Sequence, residues 1–317
     1  MFERFFKEYQ RKKNIQRLIR CGVLKPVESF EQYSALVKEA KKNAEHRLFT
    51  NCYMMPDEIK RLTAQKRFYQ VQCDNGVVFV DDEISHYYMF FYVDLSNKVT
   101  VPKLDRNVLA ESVYIEDKIS QQQTAFERLL ENTGFDLVST WQQIYAMPQL
   151  APEKFWKRYN SVMKFLEYDG KHICVPNNKQ LKAFEKIYQE QIDVYTQKKF
   201  SRRERRRQRD RGQLHCVADD KGRLYAIAIS AEIFGGAIAA KKEFDSNGYA
   251  PALMMETYKS FYENLPSDPN EQKEYMRCKA FGWIATTNTV SIRLHKSMGL
   301  YFTGKAMHQF VLPSYSN

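Results

Sequence analysis

The sequence predicts an α+β protein made of two related halves, and three observations carry that prediction. Residues 288–312 read as a short helix, a glycine stop and a strand. A similar unit lies 165 residues earlier. A hairpin signal of one kind stands upstream of each.

In the later unit, Asn288 leads a short helix with apolar Ile292, Leu294 and Met298. Gly299 stops it, because glycine takes the left-handed conformation without a Cβ penalty. Tyr301-Phe302-Thr303-Gly304 then opens a strand. Setting Gly134 on Gly299 lays Phe126 to Phe135 on Ser291 to Leu300 without a gap. Leu129 meets Leu294, Tyr145 meets Phe310, and Pro148 meets Pro313. Helix–glycine–strand units are common, but matching Gly and Pro at both ends of the window favour a duplication. The segments Gln72 to Phe79 and Val217 to Leu224 each set a polar, glycine-containing turn between apolar runs, a hairpin signal.

The elements follow in chain order. Residues 1–20 hold seven Lys/Arg against two Glu and alternate them with Phe2, Phe5, Phe6, Tyr9, Ile15, Leu18 and Ile19. This reads as a helix docked by its apolar face, or as a membrane-surface or partner-binding helix. Residues 28–43 read as a helix with Ser29 as N-cap. Tyr69 to Leu95 reads as a strand meander, with turns at Asp74-Asn75-Gly76 and Asp81-Asp82. A helix over 121–133 and a strand over 135–147 follow. Pro148 to Pro152 makes a compact linker, so the domains are expected at 1–148 and 149–317. Helices are expected around 153–167 and 178–199, the first with Trp156, Tyr159, Met163 and Leu166 at helical spacing. After the arginine run 202–211 come strands at 214–218 and 223–233, a turn at Gly235-Gly236 and a strand over 237–244.

Composition bounds the function. A chain of 317 residues with 44% apolar and 14% aromatic content builds sizeable cores. No apolar run reaches the length of a membrane span, and the N-terminus lacks the apolar core of a secretion signal. Six cysteines without paired spacing read as free thiols in a reducing, cytoplasmic setting, and no His or Cys spacing points to a metal. The net charge of +11 comes from two patches, residues 1–20 and the run 202–211, rather than from a general nucleic-acid surface.

The segment Asp245-Ser246-Asn247-Gly248-Tyr249-Ala250-Pro251 leads into a helix with Met254, Tyr258, Phe261 and Leu265 on one face. Pro251 suits a first helical turn. Such a strand–loop–helix unit aims free N–H groups and a helix dipole at one spot, where a pyrophosphate is stabilised.

This loop and the Asn288 block together resemble the GNAT N-acetyltransferase superfamily. Its last signature block is Asn-x-x-Ala/Ser-x-x-Leu-Tyr-x-x-x-Gly-Phe, and its pyrophosphate loop is Gln/Arg-x-x-Gly-x-Gly/Ala. Gly248 and Ala250 match the last two loop positions. Asp245 stands where Gln or Arg is expected, a departure shared with the branch that contains the Fem-type aminoacyltransferases. The resemblance implies two halves of tandem GNAT-like type, similar to mycothiol synthase and the Fem-type enzymes. Each half would be a mixed, mostly antiparallel sheet flanked by helices. It implies acetyl-coenzyme A, or a related acyl-coenzyme A, as donor. The backbone of Ala240 and Lys242 and the side chain of Asn288 would hold the pantetheine arm, and Asn247, Gly248, Tyr249 and Ala250 the pyrophosphate. His295 falls where the family often has a Tyr that protonates the leaving thiolate. Glu232 is the favoured general base, with Glu243 as the other choice. The first half, with Gln123 and Leu130 in place of Asn288 and His295, would be a degenerate copy that shapes the acceptor site.

The expected reaction is acyl transfer to an amine, small or carrier-borne, held between the halves. Two alternatives stay open. One is a Fem-type transfer from charged transfer RNA, with the arginine run on its phosphates. The other is a non-catalytic protein with a dead acyl-coenzyme A site.

Overall fold

The structure is a computed structural model that describes residues 2–83, 85–116, 118–145, 149–192, 202–230, 235–244, 247–275 and 281–315. The chain divides into two compact units. The first comprises residues 1–142, 285–287 and 304–317, and the second comprises 143–284 and 288–303. The closing residues of the chain therefore belong with its N-terminal part.

The first unit runs α1 (Phe2–Arg20), β1 (Leu24–Pro26), α2 (Phe30–Asn43), β2 (Phe49–Thr50), α3 (Pro56–Ala64), β3 (Phe68–Val71), β4 (Val77–Asp82), β5 (Tyr87–Val93), β6 (Val108–Ile115), α4 (Gln121–Asn132) and the start of β7 (Asp136–Tyr145). Its sheet is mixed and mostly antiparallel. β5 pairs parallel with β6, at Tyr87↔Val108 and Tyr88↔Leu109. β4 is buried on both faces. Val77 and Phe79 pack with Tyr33, Val37 and Ile59 of α2 and α3, while Val78 and Val80 pack with Leu18 of α1 and Phe126 of α4. This follows from the two-residue period of a strand. The β3–β4 turn falls where the Asp74-Asn75-Gly76 signal placed it. Gly76 has φ +79, and a Cβ there would stand 2.1 Å from the Tyr92 carbonyl oxygen.

α1 is docked on this unit. Ile15 and Leu18 are buried, and Asp82 accepts from Arg11 and from Arg106, each over 2.6 Å. α2 carries the expected cap: the Ser29 hydroxyl accepts from the Gln32 N–H.

The second unit continues with α5 (Pro152–Tyr168), β8 (Lys171–Cys174), α6 (Gln180–Gln191), α7 (Arg202–Asp210), β9 (Leu214–Asp219), β10 (Leu224–Ser230), β11 (Gly235–Ala240), α8 (Tyr249–Glu263), α9 (Pro269–Tyr275), β12 (Phe281–Ala285) and α10 (Thr289–Ser297). β13 (Phe302–Leu312) follows, and its residues Lys305–Leu312 pair antiparallel with Ile115–Val108 of β6 in the first unit's sheet. In the second unit, four antiparallel strands lie in the order β11-β10-β9-β8. One face packs on α6 through Leu181, Phe184 and Ile187, the other on α5 and α8 through Leu166, Ala252 and Leu253.

Several boundaries differ from the sequence expectation. Gly235 and Gly236 open β11 rather than forming a turn, and they pair on through Ser230↔Gly235. β11 ends at Ala240 instead of running to residue 244. There Phe244 N–H bonds the Lys241 carbonyl and closes a 3-10 turn over Lys242–Phe244. Pro148, the far half of the 178–199 helix and the end of the 223–233 strand lie outside the described residues.

The two helix stops agree bond for bond. Gly134 N–H bonds the Glu131 carbonyl and Phe135 N–H bonds Leu130. At an offset of 165, Gly299 bonds Lys296 and Leu300 bonds His295. Both glycines have positive φ. The N-caps do not share the offset: Ser120 caps α4 and Asn288 caps α10.

Candidate functional site

β11 is an edge strand of the four-stranded sheet, so among the described residues one side of its backbone has no strand partner. Lys241 N–H donates to the Tyr225 carbonyl over 3.0 Å, towards β10. Polar groups alternate in direction along a strand. The N–H and C=O of Ala240 therefore face the free edge.

The chain then makes its 3-10 turn. Asn247 N–H bonds the Phe244 carbonyl, and Gly248 becomes the N-cap of α8 with φ +77. Gly248 offers no side-chain cap, and among the described residues no side chain bonds the first N–H groups of this helix. Glycine is required by the backbone here, and a Cβ would also sit 3.4 Å from the Phe165 ring of α5. Tyr249 turns inward. It is buried, and its hydroxyl donates to Asp169 Oδ2 over 2.5 Å, which pins the start of α8 to the end of α5. Burial and that contact push its phenol pKa up. Only the backbone of Tyr249 is thus left to face a ligand. Lys242 and Asn247 are exposed beside it.

α10 supplies the other predicted residues. Asn288 is its N-cap, with Oδ1 accepting from Ser291 N–H over 3.0 Å. His295 is half-buried one turn before the glycine stop. Its Nδ1 lies 2.7 Å from the Ser291 carbonyl, which can only accept, so Nδ1 carries the proton. Burial lowers the pKa of His295 below its usual value, against a smaller upward pull from that bond. The imidazole is neutral near pH 7 and leaves Nε2 as a lone pair. β11, α8, β12 and α10 share one core, in which Ile238 packs with Met254, Ile284, Met298 and Leu300. That core brings Ala240, Gly248 and α10 into one unit. Glu232 lies outside the described residues, and Glu243 is exposed in the 3-10 turn.

The structure also groups residues that sequence reasoning left apart. Tyr159 of α5 donates to Glu256 of α8 over 2.7 Å. His215 of β9 lies 3.4 Å from the Ser230 hydroxyl and within the field of Glu256. Burial holds His215 below the usual imidazole pKa. No local pattern announces this group, because its members come from four separate elements. In the first unit, a groove of about 740 Å³ runs between residues 95–99 and α4. It carries Lys98 and Arg128 but none of the predicted site residues. Among the described residues, no group of three or more His, Cys, Asp or Glu could hold a metal ion, and no helix is long and apolar enough to cross a membrane.

No protein-family model matches the chain, and no curated protein does. Solved structures do. A GCN5-related N-acetyltransferase from Sphaerobacter thermophilus is 12% identical, with a TM-score of 0.50, over 92% of this chain and 96% of its own. A GCN5-related glucosamine N-acetyltransferase region of a fungal multi-domain β-N-acetylglucosaminidase is 8% identical, with a TM-score of 0.51, over 91% of this chain and 38% of its own. A tandem GNAT protein from the clavulanic acid biosynthesis pathway is 9% identical, with a TM-score of 0.46, over 93% and 99%. At such identities the likeness speaks for architecture. A mixed, mostly antiparallel sheet flanked by helices, matched over nine-tenths of the chain, gives this protein the fold of the GNAT N-acetyltransferases.

Proposed function

We propose that the second unit binds an acyl-coenzyme A thioester, acetyl-coenzyme A or a relative, and transfers its acyl group to an amine. The observation that carries this reading is the N-terminus of α8 at Gly248, without a side-chain cap among the described residues and just downstream of edge strand β11. A pyrophosphate would be stabilised by the first N–H groups of α8 and its dipole. The outward peptide groups of Ala240, the backbone of Lys242 and the Asn288 amide would hold the pantetheine arm. Neutral His295 would take the amine proton at Nε2 and pass it to the departing thiolate. We also read the matched helix stops at Gly134 and Gly299 as the trace of a duplication, the first unit being the copy without this loop.

Thermal melts with acetyl-coenzyme A test the reading. At about 100 times its dissociation constant the ligand should add roughly 2.7 kcal/mol. No shift at millimolar ligand would sink it. Gly248→Glu should abolish the shift through bulk and charge. Gly248→Ala, which carries the same φ penalty without the charge, should lower stability by about 1 kcal/mol yet retain part of the shift.

The arginines of α7 favour an anionic acceptor as a finer point. Arg202, Arg203, Arg206 and Arg207 are exposed on one short helix, and mutual repulsion argues against a stabilising role. Arg206→Gln with Arg207→Gln should raise the acceptor KM with donor binding intact. The transfer RNA alternative predicts RNA binding at roughly 50 mM salt, with a slope that falls by about one per phosphate contact removed. Absence of RNA binding at that salt eliminates it.

A further inference from the structure

We propose that Cys174 and Cys216 are an oxidative modification site, a dithiol that a hydroperoxide converts to a cross-strand disulfide. The inference is independent of the acyl-transfer reading.

The geometry comes from the β8–β9 ladder, in which Cys174 and Cys216 are direct partners. Partners in an antiparallel pair put their side chains on one face with Cα atoms about 4.5–5.5 Å apart, inside the range a disulfide spans. Their sulfurs stand 3.5 Å apart. Closing to the bond length of about 2.05 Å needs small side-chain rotations rather than movement of either strand. The two sulfurs differ in access. β8 is an edge strand and Cys174 is half-buried, whereas Cys216 is fully buried against α6. An oxidant therefore meets Cys174 first, and Cys216 waits behind it.

The electrostatics assign the same roles. The Cys174 thiol is lowered to about 6, first by the hydrogen bond from Cys216 and then by His172, against the cost of burial. Cys216 is pushed up by its neighbour and by burial, and it stays protonated. The Cys216 Sγ also lies 3.3 Å from the Cys174 carbonyl oxygen, a second acceptor for its proton. A thiolate in reach of solvent beside a protonated thiol is the arrangement of an attacking and a resolving cysteine. Exposed His172, with Asp220 at 3.7 Å, neighbours Cys174 on β8, and α6 lays Leu181, Phe184, Ile187 and Tyr188 against the same core as Cys216.

The chemistry balances with one peroxide. The Cys174 thiolate attacks an oxygen of hydrogen peroxide. The S–O bond forms as the O–O bond breaks, and the departing hydroxide takes a proton as water. The Cys216 sulfur then attacks the Cys174 sulfenic sulfur. The S–S bond forms as the S–O bond breaks, and the hydroxide leaves as a second water with the Cys216 proton. Two sulfurs lose two electrons and the peroxide gains them.

The test uses the full chain, reduced, desalted and treated with stoichiometric hydrogen peroxide at about pH 7. Free thiols are then blocked with N-ethylmaleimide and the protein is digested without reductant. The expected product is a peptide pair linked through Cys174 and Cys216, together with a higher Tm that dithiothreitol reverses. In Cys216→Ser, Cys174 should be trapped as a sulfenic acid by dimedone. A measurement without variants guards against misfolding: in the wild type, iodoacetamide should modify Cys174 about tenfold faster than exposed Cys21 at that pH. Cys174 and Cys216 both recovered blocked and unlinked while Cys21 is oxidised would overturn the proposal. So would Cys174 oxidised to sulfinic acid with Cys216 still free.

Discussion

Arg205 Nε donates to Glu185 Oε2 across 2.8 Å and ties α7 to α6. The guanidinium also lies 4.6 Å from the Tyr188 ring centroid, and its side chain is only 4% exposed. The arginine run is therefore not uniform. Arg205 belongs to the core of the second unit, while Arg206 and Arg207 face out. Removing one partner of a buried pair strands the other. Arg205→Gln should cost about 2–3 kcal/mol in chemical denaturation. Arg206→Gln and Arg207→Gln should each stay within about 0.5 kcal/mol. Equal losses at all three positions would contradict this division of the helix.

Asn288 has a structural task whatever its part in ligand binding, and the two separate by substitution. Asn288→Ala should lower stability by about 1 kcal/mol through loss of the α10 cap. Asn288→Asp keeps an oxygen for the Ser291 N–H but removes the amide donor. Under the proposed function, the Asp variant should melt as the wild type does without ligand and bind acetyl-coenzyme A more weakly. Unchanged affinity in Asn288→Asp would confine Asn288 to capping.

His215 and His295 both have folded pKa values below the unfolded value near 6.5. As pH falls below about 6.5, the unfolded chain takes up protons that the folded chain still refuses. Each histidine therefore withdraws stability as pH falls from above its unfolded pKa through its folded one. Asp81 of the first unit, raised to about 6 chiefly by burial, acts in the opposite sense. The comparison must be made by difference: between about pH 7.5 and about pH 5.5, wild type should lose more stability than His215→Gln. NMR titration should place both imidazole midpoints below about 6.5. A midpoint above that value for His295 would remove the neutral imidazole from the proposed proton transfer.

The α10–Gly299–β13 unit was legible because its determinants are local. A positive φ, a capping Asn and bonds three to five residues long act within one turn of helix, so the residues that specify the structure are neighbours in the chain. The docked face of α1 and the Ser29 cap were legible for the same reason, through periodicity and cap chemistry. The strand at Gly235-Gly236 was misread because glycine signals a turn only when no neighbouring strand claims its backbone, and β10 does.

Pairing across distance was not legible. The sequence contains Cys174 and Cys216, but only the register of β8 on β9 sets their sulfurs 3.5 Å apart. It contains seven arginines in a run, but only the packing of α7 on α6 selects Arg205 for burial. It predicts a last strand, yet the ladder from Lys305↔Ile115 to Leu312↔Val108 assigns that strand to the first unit's sheet. The sequence by itself determined the helix caps, the glycine stops and most of the helices, because those preferences come from each residue's own backbone and its near neighbours; it misplaced turns at Gly235-Gly236 and at Asp81-Asp82, which lie in β11 and β4. The tertiary structure decided which strand meets which and which polar side chain is buried. Those outcomes depend on burying apolar faces from segments far apart in the chain, a sum that no single segment carries.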